Sequence, residues 1–176
     1  MSIQIPDTEK KRIVIAGGGF AGLKLATRLS NSEFQVVLID KNNYHQFQPL
    51  FYQVATAGLE PSAISFPLRK VFQNSSNILI RVTEILEVIT PEQKVITGLR
   101  EIHYDFLVIA TGASTNFFGM QQISDNAIPM KSVSEALSLR NHILQNFEDA
   151  LTCEDSTRLA ELLTIVVVGG GPIGVS

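Results

Sequence analysis

The sequence predicts a three-layer α/β domain on a parallel sheet, with a small antiparallel β-meander inserted before the last strand. Three features carry that expectation. A β-branched run at residues 12–16 (RIVIA) meets three glycines and then a helix-forming stretch with helically spaced apolar residues at 20–29. A second run, residues 34–39 (FQVVLI), is apolar without alternation, which suits a strand covered on both faces of a parallel sheet. Short β-type runs broken by Pro91, Gly98 and charges then lead to residues 106–110, and read as hairpins feeding one final strand.

Along the chain, residues 1–11 (MSIQIPDTEKK) form a polar tail without the apolar core of a signal peptide. Residues 12–39 make a strand–helix–strand unit whose crossover is right-handed. Residues 42–57 (NNYHQFQPLFYQVATA) have no clean period and many aromatics and glutamines, and read as a long loop that touches a ligand. The runs ILIRV, ILEVI, KVITG and FLVIA supply the hairpins and the final strand. Ser132 and Glu135 form a capping box ahead of Ala136, Leu137, Ile143, Leu144, Phe147 and Leu151, an amphipathic helix with Arg140, Glu148 and Asp149 on its charged face. A short helix at 157–163 precedes an expected strand at 165–168 (IVVV), which runs into another triple glycine. The chain thus divides into the tail, a first domain at 12–163 and the start of a second at 164–176.

Composition narrows the function classes. A chain that is 45% hydrophobic and 18% charged is neither disordered nor fibrous. A net charge of −3 with no basic run speaks against a nucleic-acid role. The single cysteine, Cys153, excludes an intrachain disulfide and a CxxC motif, and fits a reducing compartment. No window is long and apolar enough to span a bilayer, so the segment reads as soluble.

The chemistry sits in the glycines. In Gly17-Gly-Gly19-Phe-Ala-Gly22 the first glycine permits a tight turn, the second lets a pyrophosphate approach the backbone, and the third lets helix and strand pack closely. The helix N-terminus then offers its N–H groups and partial positive charge to phosphates. Asp40, at the end of the second strand, is placed to accept the hydroxyls of a ribose, and an acid there argues against a phosphate on that ribose. Residues 107–112 (LVIATG) end a strand either at a ligand or simply at a strand exit. Gly169, Gly171 and Gly174 repeat the dinucleotide spacing, and two such turns imply two dinucleotides. The fold expected is therefore Rossmann-like and dinucleotide-binding.

Over nearly its whole length the chain resembles the two-dinucleotide-binding flavoproteins, and within them the type II NADH dehydrogenases (NADH:quinone oxidoreductases). The segments VIAGGGFAGL, IDKNNYHQFQPLFYQVATAGLEPSAISFPLR, YDFLVIATGASTNFFG and IVVVGGGPIGV carry the likeness, the second most specifically. The resemblance implies FAD as cofactor and NADH as substrate, with a hydride passing from NADH to FAD and electrons on to a quinone. It implies that Gly17, Gly19, Phe20, Ala21 and Gly22 cradle the FAD pyrophosphate, and that Asp40, with Lys41 and Asn42 beside it, holds the adenosine ribose. Ile85 would meet the adenine by its backbone, Ala110, Thr111 and Gly112 would lie near the pyrophosphate, and residues 49–53, Gln53 above all, would approach the isoalloxazine. Gly169, Gly171, Pro172, Ile173 and Gly174 would begin the NADH site. It further implies a protein peripheral to the cytoplasmic face of a membrane through a C-terminal part outside this segment, leaves homodimer formation open, and implies that the segment alone is inactive. Ile173 stands where the family commonly has Thr, and Ser176 where it commonly has an acid.

Other chemistries find little support. His45, His103 and His142 share no metal-ligand spacing, no nucleophile elbow is present, and no side chain is assigned a catalytic role. Phe47, Phe51 and Tyr52 would serve equally to line a ring pocket or to clamp a loop to a core. Two alternatives stay open: a reductase of the same class with a ferredoxin, sulfide or disulfide acceptor, and a non-catalytic dinucleotide-binding module.

Overall fold

The structure is a computed structural model that describes residues 5–169 and 171. It contains two compact units, Met1–His45 with Phe66–Ala113 and Gln46–Ser65 with Ser114–Ser176.

In the first unit, β1 (Arg12–Ala16), helix α1 (Phe20–Arg28) and β2 (Gln35–Asp40) form the βαβ unit that the sequence predicts. β1 and β2 run parallel with Val14 opposite Val37. Alternate residues of a strand face opposite sides of a sheet, so two cores result. Ile13, Ile15, Val36 and Leu38 pack with Ala26 of α1 and with Leu68 and Phe72. Val14, Val37 and Ile39 pack on the other side with Val95 and Ile102. Each fully buried aliphatic side chain contributes about 1.5–3 kcal/mol over its exposed state.

After β2 come β3 (Tyr44–Gln46), α2 (Phe51–Ala55), β4 (Ser65–Pro67), which pairs with β3, and α3 (Leu68–Val71). β5 (Ile78–Val82) then lies parallel to β2. β6 (Ile85–Ile89), β7 (Lys94–Thr97) and β8 (Glu101–His103) form the inserted antiparallel sheet, and β9 (Phe106–Ile109) returns parallel to β1. The main sheet has the order β5-β2-β1-β9. With α1 on one face and the antiparallel strands on the other, it is the three-layer arrangement expected. One grouping differs: ILIRV is a strand of the parallel sheet, not a hairpin arm. Its Ile78 and Ile80 join the first core, and that burial outweighs the charge of Arg81.

The second unit holds α2, α4 (Gln121–Asn126), α5 (Val133–Leu151) and α6 (Ser156–Leu163), and its core is formed by Phe51, Val54 and Ala55 of α2, by Ile64, and by Val133 and Ala136 of α5. Residues 42–57 are thus not a continuous loop. Phe51, Val54 and Ala55 stand one helical turn apart, and their burial fixes a short helix. The capping box of α5 forms in a modified way. Ser132 Oγ accepts from the Glu135 N–H at 3.2 Å, while Glu135 Oε2 reaches past the cap to the Lys131 N–H at 2.6 Å. The apolar stripe of α5 is buried only at its start, and Leu144, Phe147 and Leu151 are exposed. Residues 165–168 make no strand. They are 59–77% exposed, and a strand without a neighbour has no ladder to hold it. No described helix is long and apolar enough to cross a membrane.

Asn77 stitches the βαβ connection to β5. Its Nδ2 donates to the carbonyls of Leu29 and Phe34, each at 2.9 Å, and its Oδ1 accepts from the Asn31 N–H at 2.7 Å. Asn77→Ala would leave several half-buried backbone groups without partners, so we expect a loss of about 2 kcal/mol in urea denaturation. A loss below about 0.5 kcal/mol would contradict this role.

Candidate functional site

The candidate site stands at the carboxyl ends of β1, β2 and β9, where ligands of open parallel sheets bind. Sheet hydrogen bonding continues into it: the Gly17 N–H donates to the Ile39 carbonyl and the Ala110 N–H to the Ala16 carbonyl, both at 2.7 Å. Gly17 has φ +105°, and a Cβ there would overlap the Ala110 carbonyl. A Cβ on Gly22 would overlap the Gly17 carbonyl and come within 3.2 Å of Ile15 Cγ2. These two glycines are required by the chain's own packing.

Gly19 is different. Its φ of −69° suits any residue, and an added Cβ would meet no protein atom within 4 Å. Among the described residues nothing demands glycine at this position, whereas a ligand pressed against the backbone would. Gly19 is also the N-cap of α1, so the cap has no side chain to offer, and the first turn holds no acid. Gly19, Phe20 and Ala21 are exposed beside this helix start, as are Thr111 and Gly112 beyond β9.

Asp40 holds the turn from the end of β2. One carboxylate oxygen accepts from the Gly18 N–H at 2.6 Å and the other from the Asn42 N–H at 2.7 Å. Each oxygen keeps a further acceptor position. Lys41 beside it is exposed. On β5, Arg81 pairs with Ile39 one residue before the partner of Asp40. Burial, and then repulsion from Arg100 and Arg69, lower its pKa, yet a guanidinium stays charged at neutral pH. Ile85, the first residue of β6, packs on the second core.

The first unit therefore brings together Gly17, Gly19, Phe20, Ala21, Gly22, Asp40, Ala110 and Thr111 at one set of strand ends. Gln53 belongs to the second unit. Its Nε2 donates to the Tyr52 hydroxyl at 2.9 Å, and its carbonyl accepts from the Gly58 and Leu59 N–H groups. Gly169 has φ +108°, and a Cβ on Gly171 would meet nothing within 4 Å; Pro172, Ile173 and Gly174 lie outside the described residues. The sequence assigns His45 no role, only a lack of metal-ligand spacing with His103 and His142. The structure buries it and sets its Nδ1 3.0 Å from the Gly18 carbonyl oxygen. The only signal in the sequence was its place soon after Asp40.

Comparison with known proteins agrees with this geometry. The profile of the pyridine nucleotide-disulphide oxidoreductase family matches residues 11–176. The chain is 38% identical over 170 residues to the type II NADH:quinone oxidoreductase Ndh of Mycobacterium tuberculosis, aligning 94% of itself with 37% of that protein. It is 32% identical over 183 residues to the mitochondrial external alternative NAD(P)H-ubiquinone oxidoreductase B2 of Arabidopsis thaliana, aligning 96% of itself with 31% of that protein. It thus spans about a third of the length of these relatives. Among solved structures, NDH2 of Plasmodium falciparum in complex with NADH superposes with a TM-score of 0.78 at 24% identity, over 86% of this chain and 32% of that one.

The three motif glycines should separate in a stability experiment. Gly17→Ala and Gly22→Ala force backbone shifts, and each should cost more than about 3 kcal/mol or prevent folding. Gly19→Ala should change stability by less than about 1 kcal/mol. Equal losses at all three positions would sink the distinction.

Proposed function

The chain belongs to the pyridine nucleotide-disulphide oxidoreductase family, and from that premise we propose that it is the FAD-binding part of a type II NADH:quinone oxidoreductase. The observation that carries the reading is Gly19, a glycine that none of the described residues requires, at the start of a helix whose cap and first turn bring no acidic or capping side chain against an anion. The residues present fit FAD. N–H groups of the turn and of the first turn of α1 meet a pyrophosphate without a cation. Gly17 and Gly22 hold strand, turn and helix close enough for those groups to converge.

Asp40 takes the adenosine ribose through the acceptor positions left on its carboxylate, with Lys41 and Asn42 flanking. Ile85 meets the adenine by its backbone. Ala110, Thr111 and Gly112 border the pyrophosphate, residues 49–53 with Gln53 lie toward the isoalloxazine, and Gly169, Gly171, Pro172, Ile173 and Gly174 begin the NADH site. When bound, FAD supplies hydride acceptance from NADH and electron delivery to a quinone, while the protein supplies position and shelter from water. No side chain of this segment is needed as acid or base. A quinone dissolves in lipid, so the whole protein acts at a membrane surface, which we place on the cytoplasmic face and reach through parts outside this chain.

The test is made on the full-length protein. Its visible chromophore should be releasable as FAD, be bleached by NADH and be restored by a quinone. FAD that NADH does not bleach would favour a non-catalytic dinucleotide-binding module, and bleaching without restoration by any quinone would favour another acceptor. Gly19→Val should lose FAD while the apoprotein stays folded. The 176-residue segment alone should show no NADH oxidation, because its relatives are about three times as long; sustained turnover by it would refute that expectation.

A further inference from the structure

We propose that His45 is a positioning residue for this site: by holding the Gly18 carbonyl it sets the direction of the Gly19 N–H that meets the pyrophosphate. The inference rests on the FAD reading given above and deepens it. His45, on β3, is 6% exposed, and its Nδ1 lies 3.0 Å from the Gly18 carbonyl oxygen. A carbonyl can only accept, so Nδ1 carries the proton in either charge state of the ring. The Gly18 N–H, on the other side of the residue, donates to Asp40 Oδ2 at 2.6 Å. Gly18 is therefore gripped at both of its backbone polar groups, by side chains at the end of β2 and on β3.

The consequence passes along one peptide bond. The amide joining Gly18 to Gly19 is planar and trans, so the Gly18 carbonyl and the Gly19 N–H point in opposite directions, and fixing one fixes the other. Gly19 has no side chain to orient it, and of its own polar groups the carbonyl accepts from the Leu23 N–H at 2.9 Å in the first turn of α1. Three consecutive glycines would otherwise leave this stretch the freest backbone in the turn. A donor ordered before its ligand arrives spares the ligand that ordering cost. Phe20 completes the arrangement. Its ring stands edge-to-face with the imidazole, with centroids 5.2 Å apart and planes at 83°, a contact that helps to hold the imidazole in place.

The experiment measures FAD affinity of deflavinated full-length protein by fluorescence quenching, well below the lowest melting temperature of the set. The variants are His45→Leu, His45→Gln and His45→Asn. Asparagine places an amide N–H where Nδ1 reaches, glutamine places it where Nε2 reaches, and leucine fills the volume without a donor. Directed donation predicts that Leu and Gln weaken FAD binding by about tenfold or more, the factor for one lost oriented hydrogen bond, while Asn stays close to wild type. A role in packing alone predicts the opposite order, with asparagine, the smallest of the three, weakest. That order, or wild-type affinity in the Leu variant, overturns the proposal. Failure of the wild-type protein itself to bind FAD would instead overturn the reading of the site, and this inference with it.

Discussion

Helix α1 can begin where it does only because its backbone rests directly on the carbonyl of Gly17, with nothing but the hydrogen of Gly22 between them. Much else in the first unit depends on that approach. It sets the height of α1 over β1, so that Ala26 rather than a larger residue meets Ile13 and Ile15. It brings the start of the helix level with the ends of β1 and β9, where Gly17 in turn lies against Ala110. A methyl group at either contact would lift the helix away from the sheet and carry the helix start with it.

The electrostatics of the turn follow from the same closeness. The turn presents N–H groups in two directions, and the chain neutralises only one of them. Asp40 takes the inward-facing Gly18 N–H, while the groups at the start of α1 face outward without a capping side chain. Opposite charge near a helix N-terminus is favourable, so the carboxylate also steadies the turn it serves. One residue thereby acts as a structural brace and, in the proposed function, as the acceptor for a ribose.

What could be read from the sequence was whatever local pattern determines. RIVIA, the glycine spacing and FQVVLI specify the βαβ unit because strand, turn and helix each carry their own signal. ILIRV was misassigned to a hairpin because a short apolar run does not say which neighbour it will pair with; that is decided by the burial of Ile78 and Ile80 against α1 and α3. The helix at Phe51–Ala55 escaped for a related reason, since five residues are too few to hold a helix by propensity, and its three buried side chains do so. Asn77 acts through hydrogen bonds to backbone groups 43 to 48 positions away and His45 through one 27 positions away, and no periodicity encodes those. In the candidate site, the tight turn at Gly17 and the close helix packing at Gly22 were legible because residue type and spacing carry them.

The exposed run at residues 165–168 has a consequence for the biosynthesis of the chain. Four consecutive β-branched residues without charge are the kind of segment that seeds intermolecular pairing when it emerges from a ribosome ahead of its neighbour. Gly169, with its left-handed backbone, ends the run abruptly and limits how far such a pairing can extend.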